Sequence, residues 1–131
     1  MNFALPKILS VGTANPSTYY SQQDILKLFR VQNPVVRRIF QASHIQGRYL
    51  YLPTPDENGL PQESQGELLA KHRHGAMELG EKAIKRCLEP LGLAASEIDM
   101  LCVISSTGFM LPGLSAMFVK HFGFRQNCHR M

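Results

Sequence analysis

Apolar positions along the chain change period from segment to segment, and each period predicts an element. Residues 7–13, Lys7-Ile8-Leu9-Ser10-Val11-Gly12-Thr13, form a short apolar run closed by glycine. They predict a buried strand, turned at Asn15-Pro16. Ser21 predicts a helix N-cap with Asp24 at the third helical position, and Ile25, Leu26, Leu28 and Phe29 follow on that helix. Asn33-Pro34 ends it. A second short helix then carries Val35, Val36, Ile39 and Phe40 on its apolar side, with Arg37 and Arg38 beside them. Arg48-Tyr49-Leu50-Tyr51-Leu52 alternates like a strand or an extended arm. Residues 53–61, with three prolines, a glycine and two acids, predict a loop.

The strongest periodicity runs over residues 64–89. Leu69, Ala76, Leu79, Ala83 and Cys87 recur at three- and four-residue steps, flanked by Leu68, Ile84 and Leu88. Glu67–Lys71, Glu78–Lys82 and Glu81–Lys85 are spaced for i,i+4 pairing on the other face. Pro90 and Gly92 stop this helix. Met100-Leu101-Cys102-Val103-Ile104-Ser105 is nearly all apolar, as in a strand buried on both faces. Beyond Pro112-Gly113, Leu114, Met117, Phe118 and Phe122 predict a last helix capped by Gly123, and residues 126–131 read as the opening of another strand. This order predicts an α/β fold with parallel strands joined by helical crossovers, and the chain stops inside what reads as a strand.

Composition narrows the class. A chain of 131 residues favours one domain and can bury a real core. Apolar residues at 44% against 18% charged exclude a disordered tail. No apolar stretch is long enough to span a bilayer, and Pro6 and Lys7 interrupt any signal-peptide core, so a cytoplasmic setting and no membrane association are expected. The net charge of +4 suits an anionic ligand but falls short of a nucleic-acid binder. Cys87, Cys102 and Cys128 have no close spacing, which argues against a disulfide framework or a metal knuckle.

Neither glycine-rich phosphate-loop motif occurs. His72 and His74, two apart on a helix, point to different faces and read as solvated positions rather than metal ligands. Cys128 and His129 are adjacent in an expected strand and face opposite sides, and Cys102 and Cys87 read as core. Arg37 and Arg38, with Arg48 further on, form the one basic cluster not offset by acids. Such a cluster either holds a phosphate or pyrophosphate or is a solvated face. Ser105-Ser106-Thr107-Gly108, followed by Leu111-Pro112-Gly113, puts small polar groups at the carboxyl end of a parallel strand, where α/β sheets bind ligands. Ser106 and Thr107 are the candidate contacts there; ordinary turn chemistry is the alternative.

Three of these segments resemble type III polyketide synthases, the chalcone synthase-like enzymes. They are Ile8-Leu9-Ser10-Val11-Gly12-Thr13-Ala14-Asn15-Pro16, Arg48-Tyr49-Leu50-Tyr51, and Ser105-Ser106-Thr107-Gly108-Phe109-Met110-Leu111-Pro112-Gly113. The last has the form more usual in bacterial members, such as the 3,5-dihydroxyphenylacetyl-CoA synthase subgroup. The resemblance implies a thiolase-like α/β fold, a homodimer, and condensation of malonyl-CoA units onto an acyl-CoA starter, with CoA thioesters as substrates and no further cofactor. It implies that residues 1–131 form a single incomplete N-terminal domain, ending before the segment that carries the nucleophilic Cys, with the family's His and Asn further on. Carried over, Arg38 matches a basic residue that contacts the CoA phosphates. That residue's two Lys companions fall on Val35 and Ala42, which leaves Arg37 as a substitute. Ser106 matches a cavity-lining position, and Leu111 matches the Met that reaches into the partner's cavity. The alternatives are a non-catalytic remnant acting through its dimer and CoA-facing surfaces, or a ketoacyl-carrier-protein synthase III-type enzyme.

Overall fold

A computed structural model describes residues 5–53, 55–59 and 61–131. The chain divides into two compact units, one formed by residues 15–71 and the other by residues 1–14 and 72–131.

In the first unit, β1 (Tyr19–Ser21) leads into α1 (Gln22–Leu28). Ser21 caps α1 as its residue type predicts. The Asp24 N–H donates to Ser21 Oγ at 3.1 Å, and the Ser21 N–H donates back to Asp24 Oδ2 at 2.9 Å. Asn33-Pro34 both separates and starts helices: Asn33 Oδ1 accepts from the Val35 N–H at 2.9 Å and caps α2 (Pro34–Ala42), with proline in its favoured first position. β2 (Gly47–Tyr49) pairs antiparallel with β1, Tyr19 opposite Tyr49. The ring contact of these two tyrosines is edge-to-face, with centroids 5.3 Å apart. Ile25 and Leu26 form the buried centre of this unit. Gln22 is buried beside them and donates through Nε2 to Ser43 Oγ at 2.9 Å, tying α1 to the end of α2. In the predicted loop, residues 55 and 61 form an isolated bridge around a turn; Thr54 and Leu60 lie outside the described residues.

α3 (Gln65–Leu88) begins in the first unit and continues in the second. Ser64 and Glu67 form its reciprocal cap, the Glu67 N–H donating to Ser64 Oγ at 3.3 Å. This overturns the predicted Glu67–Lys71 pair: Glu67 turns back to Ser64, and Lys71 instead pairs with Glu63. The Glu78–Lys82 and Glu81–Lys85 pairs form as the spacing predicts. A 3₁₀ turn, Glu89–Leu91, closes the helix at Gly92.

In the second unit, β3 (Met100–Leu101) pairs parallel with β4 (His129–Arg130) through the crossover helix α4 (Leu114–His121). The ladder continues past the strand ends, with the Val103 N–H donating to the Met131 carbonyl at 3.0 Å. Met117, Phe118, Phe124 and Cys128 are buried here, and Phe118 lies so close to α3 at Gly80 that a Cβ there would overlap its ring.

Two buried strands are not present as predicted. Residues 7–13 make no ladder among the described residues, and Ile8 and Val11 are 88% and 75% exposed. The segment is held on α3 instead: Arg86 donates to the Thr13 carbonyl at 2.7 Å, and a Cβ on Gly12 would overlap the Ala83 carbonyl. Likewise the apolar run after Leu101 leaves Ile104 91% exposed, and Cys102, read as core, is exposed too. A strand is buried by its neighbours, and the described residues supply β3 with one neighbour and residues 7–13 with none. No helix among the described residues is long and apolar enough to cross a membrane.

Candidate functional site

The predicted site residues fall into two groups, one in each unit. In the first unit, α2 places Val35, Arg38 and Ala42 three and four residues apart, hence on one face. All three are exposed. Arg38 makes no ion pair among the described residues, so its guanidinium is available to an anion. Arg37, also exposed, is committed elsewhere, since its Nη1 donates to the Val31 carbonyl at 3.1 Å and braces the turn between α1 and α2. Arg48 stacks over the Phe40 ring at 5.6 Å, and Arg30 is engaged by the Asn58 carbonyl. Of the basic cluster read from the sequence, Arg38 is thus the cation left uncommitted, on a face that carries no second positive charge.

In the second unit, the loop at the carboxyl end of β3 is shaped by its own side chains. Ser105 Oγ donates to the Thr107 carbonyl at 2.6 Å and lies 3.4 Å from the Thr107 N–H. Gly108 follows with φ +75°, a conformation that side-chain-bearing residues rarely adopt. Ser106 and Thr107 are exposed, and Phe109 and Leu111 are 80% and 85% exposed. The loop thus presents a small hydroxyl and two large apolar side chains to the surroundings.

Sequence reading missed one residue of this site. His72, taken as a solvated position, is half-buried on α3, its Nδ1 3.4 Å from Thr107 Oγ1. Its Nε2 is buried and has no hydrogen-bond partner among the described residues. The signal was available in the spacing. His72 is three residues after Leu69 and four before Ala76, so it fills the gap in the apolar stripe of α3. His74 is on another face, exposed beside Glu78 at 3.6 Å. Among the described residues no three His, Cys, Asp or Glu side chains are placed to hold a metal ion. Cys128 is buried, with Sγ 3.6 Å from the His129 carbonyl, and Cys87 is half-buried on α3. A hollow of about 280 Å³ between Ile84, Leu88, Leu93 and Phe122 is lined by none of the predicted site residues.

Helices and sheet of this order, with a polar loop after a parallel strand, match a solved class of enzymes. The chain superimposes on polyketide synthase PKS-I of the brown alga Ectocarpus siliculosus with a TM-score of 0.80 and 26% identity, covering 95% of this chain and 38% of that one. On 1,3,6,8-tetrahydroxynaphthalene synthase of Streptomyces coelicolor A3(2), a bacterial type III polyketide synthase, the TM-score is 0.78 at 21% identity, over 93% and 37% of the two chains. In sequence it is 43% identical to 3,5-dihydroxyphenylacetyl-CoA synthase of Streptomyces toyocaensis over 126 residues, 95% of this chain and 32% of that protein. No family model matches the chain. By sequence and fold together, the chain is related to the type III polyketide synthases and matches their N-terminal portion. It spans about a third of the length of the curated relatives it matches. These relatives do not favour the alternatives of a non-catalytic remnant or a ketoacyl-carrier-protein synthase III-type enzyme.

Proposed function

We propose that this chain supplies the CoA-facing and cavity-lining N-terminal part of a type III polyketide synthase, an acyltransferase that extends an acyl-CoA starter with malonyl-CoA. The observation that carries the reading is the 43% identity to a 3,5-dihydroxyphenylacetyl-CoA synthase across 95% of the chain. In the reaction, a cysteine thiolate attacks the thioester carbonyl of the starter and CoA leaves as its thiol. Malonyl-CoA loses carbon dioxide, and the resulting enolate carbon bonds to the enzyme-bound acyl carbon, displacing the thiolate. The oxyanion and the enolate need hydrogen-bond donors, which the resemblance assigns to a His and an Asn. In this reading the Cys, His and Asn lie outside the 131 residues, so the chain by itself makes no product. Residues 7–13 and 100–105 then belong to a larger, mostly parallel sheet with helical crossovers, completed by strands outside the chain. No cofactor beyond the CoA thioesters is required.

Within this part, Arg38 holds a CoA phosphate by a charge-assisted hydrogen bond. Arg37 contributes less, because its guanidinium already serves Val31. Ser106 and Thr107 lie at the edge of the acyl cavity, and Leu111, exposed at the loop end, enters the cavity of a second copy in a homodimer. Arg38→Ala in the protein at its full natural length tests the reading. Losing one charge-assisted contact raises KM for malonyl-CoA about tenfold with kcat little changed. An unchanged KM removes Arg38 from the CoA site.

A further inference from the structure

We infer that His72 is a positioning residue for residues 105–108 and, through them, a determinant of which acyl starter is accepted. The inference rests on the polyketide synthase reading above, which puts Ser106 at the cavity edge. Three observations carry it. His72 Nδ1 approaches the Thr107 hydroxyl at 3.4 Å, so the neighbour of Ser106 is tied to α3. The imidazole also lies directly under the loop backbone: a Cβ on Gly108 would stand 2.5 Å from His72 Cγ and 2.6 Å from Nε2, leaving space only for glycine. Finally, Nε2 is buried without a partner among the described residues. An unsatisfied buried nitrogen costs stability, and Leu would continue the apolar stripe of α3 without that cost. The polar ring is therefore not explained by packing and is explained by its hold on Thr107.

A loop resting on an aromatic ring is propped at a set height. Removing the ring opens space under Gly108, into which the loop relaxes toward α3. Ser106 then recedes from the cavity edge, and a longer starter gains room. The ring acts at one remove from the substrate, by fixing the backbone that carries Ser106.

The test uses the protein at its full natural length, with acetyl-CoA and hexanoyl-CoA competing as starters and malonyl-CoA as extender. His72→Ala is expected to shift the ratio of kcat/KM values toward hexanoyl-CoA by about fivefold or more. Hydrogen exchange over residues 105–108 is expected to speed up in the same variant. His72→Asn, which returns a polar atom near the Nδ1 position, should recover part of both effects. His72→Leu keeps the helix stripe apolar, so it carries the same test if His72→Ala does not fold. A starter ratio within twofold of wild type in the folded variants, even with lower total turnover, overturns the inference. So does exchange of residues 105–108 that is unchanged. Should the wild-type protein make no polyketide, the proposed function falls and takes the selectivity claim with it, while exchange still judges the hold of His72 on the loop.

Discussion

Asn33 shows how much a single side chain decides here. Its Oδ1 accepts from the N–H groups of both Val35 and Val36, at 2.9 and 3.3 Å, and so starts α2, the helix that presents Arg38. Asn33→Ala should cost about 1 kcal/mol, seen as a lower urea midpoint at constant slope. Gly12 decides by absence of a side chain. Gly12→Ala forces a methyl against the Ala83 carbonyl and the Cys87 N–H of α3. A loss of about 1–3 kcal/mol is expected, since the obstacle is helix backbone that cannot rotate away. A melting temperature equal to wild type would show that residues 7–13 do not rest on α3. The sequence reading takes Asn33-Pro34 as the end of the first helix, not as the cap of the next, although a cap acts over only two or three residues. The role of Gly12 was not legible in the sequence, because Ala83 and Cys87 are more than seventy residues away.

At the scale of elements, the helices obey local rules and the strands do not. α1 and α3 both begin with a serine whose partner acid sits three residues on, and both acids are held below the ordinary carboxylate range. The cause is the hydrogen bond from the serine hydroxyl, Ser21 for Asp24 and Ser64 for Glu67, followed by the serine N–H. A carboxyl with a lowered native pKa contributes stability that is present above the unfolded value, near about 4, and is lost as pH falls through the native value. Helicity followed by circular dichroism should therefore weaken below about pH 5, and Asp24→Asn with Glu67→Gln should flatten that dependence. An acid transition unaltered by the double substitution would show that the caps do not couple helix stability to pH. Lys85 shifts the other way: its hydrogen bond to Glu81 raises its pKa, so that pair persists through neutral pH. The third predicted helix pair failed for a reason of the same kind. Glu67 was already committed to its cap, a competition visible in the sequence only when both roles of Glu67 are weighed together.

On the scale of the whole molecule, the apolar positions exceed what these 131 residues bury. Ile8, Leu9, Val11, Ile104, Phe109 and Leu111 are each more than two-thirds exposed, while six hydrophobic residues are buried among those described. Exposed apolar runs of this kind drive association. The 131-residue chain produced alone should self-associate, read by light scattering; a monodisperse monomer with a cooperative melt would contradict this. By itself the sequence determined the helices, their caps and stops, and the polar loop after an apolar run, because these depend on neighbours a few residues apart. It also carried the family resemblance, through short motifs in the right order. Tertiary structure alone decided which strands pair, which arginine of the basic cluster stays uncommitted, and that His72 underlies the loop. Each of those depends on groups distant in sequence, and a periodic pattern shows that a side is apolar without showing what will meet it.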